Sequence, residues 1–139
     1  MTMRQIFVNL PVKDLEKSKR FFTALGFAIN PQFTNDKGAC VVIEKDSIYA
    51  MLLTEEFFQS FLTSHAIADA RRSKEVLVAL SCANDQEVKD LVAKASASGG
   101  KPAREAKDHG FMYEHAFEDP DGHIWELVHM RPNGEMRTS

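Results

Sequence analysis

The sequence places one carboxylate in the middle of an apolar strand near its carboxyl-terminal end. Glu126 is the third residue of IWELV, residues 124–128, which His123 separates from the turn sequence EDPDG. A charged side chain costs several kcal/mol to bury unless another group pairs with it. Glu126 therefore needs a partner, which could be a metal ion, a substrate, a neighbouring side chain or solvent.

His115 is the predicted side-chain partner of this carboxylate. Counting back from a four-residue hairpin loop over residues 119–122 puts His115 opposite Glu126 on the neighbouring strand. Tyr113 and Phe117 then share that face, because side chains alternate along a strand. The pair predicts a structural contact, a metal ligand or acid–base chemistry. Glu126 and His115 are thus the candidate catalytic residues.

Composition and charge exclude several other kinds of function. The chain has 139 residues and a net charge of −3, and its longest basic cluster is Arg71-Arg72. This balance argues against nucleic acid or an anionic membrane as partner. No stretch approaches the roughly 18 apolar residues that span a bilayer, and the first residues lack the layout of a signal peptide. We therefore expect a cytoplasmic protein.

The elements that must position these residues occur in two similar series. Each series predicts a strand, a helix and three further strands, and the turn sequences between the later strands favour antiparallel hairpins. Asp14 and Asn84 are the predicted N-caps of the two helices. The expected strands are residues 5–12, 28–34, 39–44 and 47–54, then 75–82, 101–106, 111–118 and 123–130. A polar tail, residues 131–139, is expected to fray.

Three stretches of this pattern resemble the vicinal oxygen chelate superfamily, which includes glyoxalase I, extradiol dioxygenases and bleomycin-resistance proteins. They are VNLPVKDLEKSKRFFTALGF, VLVALSC and EDPDGHIWELV. The resemblance implies an α+β fold of two tandem βαβββ modules, whose curved mixed sheets enclose a cavity, often in a homodimer. It implies a single glyoxalase-like domain over residues 1–139, with modules at about 4–54 and 74–130 and a connector at 55–73.

The resemblance also implies a divalent metal held by His, Glu or Gln side chains from four strands. The corresponding positions of this sequence are Phe7, Met51, Leu77 and Glu126. Only Glu126 offers a donor that a hard cation prefers. A metal cofactor is therefore left open, with Glu126 as its one retained ligand.

The predicted cavity is apolar, with a few polar groups, and suits a small organic ligand. Its predicted ligand-binding residues are Phe7, Asn9, Met51, Leu53, Leu77 and Tyr113. Two functions stay open: a lyase or isomerase of glyoxalase type that uses Glu126, or a binding protein of the bleomycin-resistance type that sequesters its ligand. Extradiol ring cleavage is less favoured, because its two His positions hold other residues.

The two cysteines carry no recognisable chemistry. Cys40 and Cys82 lie in apolar runs, without the spacing of a metal or redox motif. We expect both to be reduced thiols of the core.

Overall fold

A computed structural model describes residues 3–132 of the chain. Contacts within this part divide it into two compact units, with the boundary between Asp69 and Ala70. That boundary falls inside the predicted connector, residues 55–73. Among the described residues, no helix is long and apolar enough to cross a membrane.

The first unit is a four-stranded mixed sheet with one long helix. The strand order is β1-β4-β3-β2, with β1 parallel to β4 and the other pairs antiparallel. The predicted second strand is shorter than expected, because Pro31 begins a 3-10 turn that Asn30 caps. The elements are β1 (Ile6–Val12), α1 (Leu15–Ala24), β2 (Ala28–Asn30), β3 (Gly38–Glu44), β4 (Ile48–Thr54) and the short α2 (Glu55–Gln59).

Local sequence signals set both ends of α1. The Asp14 side chain accepts a hydrogen bond from the backbone N–H of Lys17 at 3.1 Å, which confirms the predicted N-cap. Gly26 follows the helix at φ +102°, a conformation that glycine adopts without strain. Between these ends the helix buries Phe21 and Phe22 against the sheet. The apolar residues at helical spacing therefore contribute to the core of this unit.

The second unit repeats this plan, which confirms the predicted α+β fold of two βαβββ-like modules. Its strand order is β5-β9-β8-β6, and β7 also pairs with β8. The predicted strand 101–106 is reduced to its first two residues, and a further short strand, β7, follows it. The predicted strand 75–82 is reduced to four residues. The elements are β5 (Val78–Ser81), α3 (Asp85–Ala97), β6 (Lys101–Pro102), β7 (Lys107–Asp108), β8 (Met112–Glu118) and β9 (Ile124–Met130).

The predicted register between β8 and β9 is wrong by one residue. The loop between them has five residues rather than four, so Glu118 pairs with Ile124. Ala116 lies opposite Glu126, and His115 lies opposite Leu127. A shift of one residue moves a whole strand to the other face of the sheet. His115 and Glu126 consequently point to opposite faces.

A buried carboxylate in the loop explains its length. Asp119 is 4% exposed and accepts hydrogen bonds from the backbone N–H groups of Asp121 and His123, each at 3.0 Å. Its second oxygen accepts the indole N–H of Trp125, also at 3.0 Å. Burial raises the pKa of this carboxyl, while the charge of the His123 side chain and the hydrogen bonds from Trp125 and the Asp121 N–H oppose that rise. Asp119 therefore closes a loop of five residues and is a structural residue.

The two faces of the second sheet have different neighbours. The ammonium group of Lys89 on α3 lies 5.5 Å from the ring centroid of Tyr113, so α3 covers the face that carries Tyr113 and His115. The opposite face carries the side chains that are in register with Glu126, and we call it the Glu126 face. Its residues include Ala79, Glu114, Ala116, Glu126 and Val128.

Arg131 joins three elements at the end of β9. Its guanidinium contacts Asp85 at the start of α3 at 2.6 Å and Asp108 of β7 at 2.7 Å. The prediction that the tail frays is therefore wrong for its first residue, Arg131. Residues 133–139 of the predicted tail lie outside the described part of the chain. The hydrogen bonds from Arg131 lower the pKa of Asp108 to about 2.

We expect Asp119→Ala to destabilise the protein, because three N–H donors would lose their acceptor. The expected loss is about 2 to 4 kcal/mol in the free energy of unfolding, measured by urea denaturation. The matched control is Glu105→Ala, which removes an exposed carboxylate of the same unit and should change stability by less than about 0.5 kcal/mol. Equal losses in the two variants would contradict the structural role of Asp119.

We expect the stabilisation from the Arg131–Asp108 pair to depend on pH. The folded-state pKa of Asp108 is depressed, so the pair stabilises the fold above the ordinary pKa of aspartate, about 4. This stabilisation is lost as the pH falls from about 4 to 2. Urea midpoints of the wild type and of Arg131→Met should therefore differ at pH 7 and converge towards pH 2.

Lys101→Met is the control for this measurement, because it removes an exposed cation of the same unit. Its midpoint difference from the wild type should stay small throughout the range. A difference for Arg131→Met that is unchanged between pH 7 and pH 2 would contradict the ion pair.

Candidate functional site

The first unit contains a cavity of about 350 Å³ on one face of its sheet. That volume is within the usual range for a site that holds a small organic molecule. None of the side chains that line it carries a formal charge at neutral pH. The lining residues are Gln5, Phe7, Asn9, Asn30, Phe33, Tyr49 and Met51.

The pairing of β1 with β4 brings the central residues of this cavity together. Phe7 is in register with Tyr49, and Asn9 is in register with Met51. The rings of Phe7 and Tyr49 stack with their centroids 4.8 Å apart and their planes 10° from parallel. Phe7 nevertheless remains 46% exposed, so this aromatic pair forms an accessible wall. Phe7, Asn9 and Met51 therefore lie on one face of the sheet, as predicted.

Amide and hydroxyl groups provide the polar part of the cavity. The Asn30 side-chain oxygen accepts a hydrogen bond from the backbone N–H of Gln32 at 3.0 Å. Its NH₂ group has no hydrogen-bond partner among residues 3–132. The Asn9 NH₂ group makes a long bond of 3.4 Å to the carbonyl of Phe7, and the Tyr49 hydroxyl accepts from the Asp46 N–H at 3.1 Å. Asn9 and Asn30 thus have donors to offer a ligand.

The other three predicted ligand-binding residues do not line this cavity. Leu53 is only 4% exposed and belongs to the core of the first unit. Leu77 belongs to the second unit, where it precedes β5 and is 53% exposed. Tyr113 lies on the face that α3 covers, because the register of β8 differs from the predicted one.

Glu126 has Arg104 as its partner rather than His115. Nη2 of Arg104 lies 3.0 Å from Oε2 of Glu126 and 3.6 Å from Oε1 of Glu114. His115 contacts the same residue from its backbone side, with Nε2 2.9 Å from the carbonyl oxygen of Arg104. Glu126 and His115 are therefore linked through Arg104, although they do not contact each other.

Arg104 is the important residue that sequence reasoning missed. It lies between β6 and β7, in a stretch that the sequence predicts as a continuous strand. Neither periodicity nor a motif indicates which way a side chain of such a loop points. The one available signal was chemical, because a partly buried glutamate favours a cation as its partner.

The residues at the implied metal positions do not fit a divalent ion. Phe7 and Leu77 carry hydrocarbon side chains, and Met51 offers only a thioether, a soft donor. Glu126 is held by the guanidinium of Arg104. Within the described ranges, no three His, Cys, Asp or Glu side chains come close enough together to bind a metal.

The thiols are equally poor candidates for chemistry. Cys40 is fully buried and burial raises its pKa. Burial and the nearby carboxylate of Glu87 raise the pKa of Cys82 to about 11. Because the thiolate is the reactive form, neither cysteine is an activated nucleophile at neutral pH.

Comparison with known families gives one match at the start of the chain. The model for the bleomycin resistance protein-like N-terminal family matches residues 4–44, which cover β1 to β3. No curated protein matches the chain significantly in sequence.

Several solved structures match over almost the whole chain. A hypothetical protein from S. aureus is 30% identical, with a TM-score of 0.74 over 92% of this chain and 95% of the other. A glyoxalase-related enzyme from Fulvimarina pelagi is 25% identical, with a TM-score of 0.74 over 90% and 87%.

A third structure shows the same fold at greater sequence distance. It is a glyoxalase/bleomycin resistance protein/dioxygenase family enzyme from Burkholderia phytofirmans, 15% identical, with a TM-score of 0.71 over 89% of this chain and 96% of the other. The family match, the two βαβββ-like modules and these structures agree. The chain belongs to the glyoxalase/bleomycin resistance/dioxygenase group of the vicinal oxygen chelate superfamily.

Proposed function

We propose that the chain binds a small, uncharged, planar organic molecule in the cavity of its first unit, without a metal ion. The observation that carries this proposal is the stacked pair of Phe7 and Tyr49 at the centre of an uncharged lining. Aromatic faces favour contact with another flat ring. A charged ligand would lose its hydration there without gaining an opposite charge.

The polar groups of the cavity support the same class of ligand. The free NH₂ group of Asn30 and the weakly bonded NH₂ group of Asn9 are donors, and their amide oxygens are acceptors. Such groups suit an amide, a carbonyl or a heterocycle at the edge of the ligand. Reversible sequestration is then the proposed activity.

Catalysis by a lyase or isomerase mechanism is the second candidate. It is favoured by the partial exposure of Glu126, whose side chain is 24% exposed on the Glu126 face. In this alternative Glu126 accepts a proton from the substrate, and Arg104 stabilises the negative charge that develops. His115 acts as a positioning residue, because it contacts the backbone of Arg104.

The two candidates differ in what happens to the ligand. Sequestration returns the bound compound unchanged, whereas an enzyme converts it. Incubation of each bound compound with the protein, followed by mass spectrometry, separates them. Conversion that Glu126→Gln abolishes would favour the second candidate.

We further propose a homodimer, the assembly that the family resemblance implies. β1 and β5 are edge strands of their sheets. Ile6, at the start of β1, is 54% exposed, and Leu77, next to the start of β5, is 53% exposed. Uncovered apolar edge strands favour association with another chain. Light scattering after size-exclusion chromatography should give the mass of two chains. A monomer at micromolar concentration would contradict this proposal.

We expect Phe7→Ala to weaken ligand binding, because it removes half of the aromatic wall. Thermal-shift screening of neutral aromatic amides, and of their carboxylate and amine analogues, identifies a ligand, and calorimetry then measures its Kd. We expect the neutral members to bind, and Phe7→Ala to raise the Kd by at least about tenfold.

Phe61→Ala is the matched control, because Phe61 is an exposed phenylalanine of the same unit outside the cavity. Its Kd should equal that of the wild type. Preferential binding of the charged analogues, or an equal effect of the two substitutions, would contradict the proposed site.

A further inference from the structure

Arg104 is held in place on both sides of its Cα atom. On the backbone side, its carbonyl oxygen lies 2.9 Å from Nε2 of His115. The N–H of Ala103 donates to the carbonyl of Ala116 at 2.9 Å, which fixes the start of the loop against β8. The side chain is only 33% exposed. The guanidinium therefore has a defined position over the Glu126 face.

One nitrogen of this guanidinium serves two carboxylates. Nη2 lies 3.0 Å from Glu126 and 3.6 Å from Glu114. The imidazole of His109 also approaches Glu114, with its Nε2 atom 3.6 Å from the same Oε1 atom. Carboxylate oxygen and imidazole nitrogen are donors that divalent cations prefer, but as they are placed in the described part of the chain these groups do not come close enough together to bind one. At this place the fold has put an organic cation.

The charges explain why a cation must be there. Glu114 and Glu126 extend from neighbouring strands on the same face, and two carboxylates so close together repel each other. Arg104 neutralises one of the two negative charges, and its Nη2 atom contacts one oxygen of each carboxylate. A divalent ion bound to Glu126 would lie beside the positive guanidinium of Arg104, which would repel it.

From this geometry we infer that Arg104 takes the place of the divalent cation beside Glu126. In the metal-binding members that this chain resembles, a glutamate at this position is a metal ligand. Here the same carboxylate is an anchor for Arg104. The chain is thus a metal-independent member of its superfamily because a built-in cation occupies the electrostatic site, and not only because Phe7, Met51 and Leu77 lack donor atoms.

The test is to remove the built-in cation and measure metal binding. We compare the untagged wild type with Arg104→Met, Arg104→Lys and the double variant Arg104→Met/Glu126→Gln, using Zn²⁺ and Mn²⁺ in isothermal titration calorimetry. Arg104→Met should bind Zn²⁺ at least about tenfold more tightly than the other three proteins. Arg104→Lys keeps a cation and should resemble the wild type.

Two outcomes would overturn the inference. Wild-type protein that binds either ion as tightly as Arg104→Met would show that the guanidinium does not exclude the metal. Arg104→Met that binds no more tightly than the double variant would show that Glu126 does not gain an ion when Arg104 is lost. Arg104→Gln replaces Arg104→Met in the same comparison if circular dichroism shows that the methionine variant is unfolded.

A second measurement on the wild-type background does not depend on metal uptake. Nitrogen-15 NMR of the arginine side chains reports how fast each guanidinium group rotates. Rotation at Arg104 should be slow in the wild type and several-fold faster in Glu126→Gln, whereas Glu105→Gln should leave it unchanged. Fast rotation in the wild type would overturn the inference. None of these outcomes bears on the cavity of the first unit, so the two proposals fail separately.

Discussion

The hydrogen bonds of the Asp119 carboxylate determine how the second unit is arranged. Two backbone N–H groups and the indole of Trp125 converge on this buried side chain and fix a loop of five residues. The loop length sets the register of β8 against β9, and the register decides which side chains lie on each face. Because of this register, Glu126 shares a face with Glu114 and Ala116, and His115 lies beneath α3.

The apolar strand β9 contains a carboxylate because the fold provides a cation for it from outside the strand. Arg104 reaches Glu126 from the loop between β6 and β7, and His115 holds the backbone of that loop from the other face. The arrangement meets the general requirement that a partly buried charge be paired. Glu126 has the residue type that the family resemblance implies at this position, and its partner in this structure is a side chain.

Local signals made much of the fold predictable from the sequence. The N-caps Asp14 and Asn84, the glycine after α1 and the strand alternation gave two repeated modules, and they placed Phe7, Asn9 and Met51 on one face. The β8–β9 register was not predictable in this way, because a single additional loop residue reverses a face and the hydrogen bonds that select it are formed only after folding. Arg104 escaped prediction because its contact with Glu126 joins residues far apart in sequence through an irregular loop.

The rings of Phe7 and Tyr49 stack at the distance that separates neighbouring strands. Their centroids are 4.8 Å apart because each ring stands on its own strand, and adjacent strands are separated by about that distance. On the side of β3, Val42 follows Tyr49 in the same row. On the other side β1 is the edge of the sheet, so within the first unit the row ends at Phe7. The outer face of this ring is the open end of a column, and a flat ligand placed there would continue the column where the sheet itself stops.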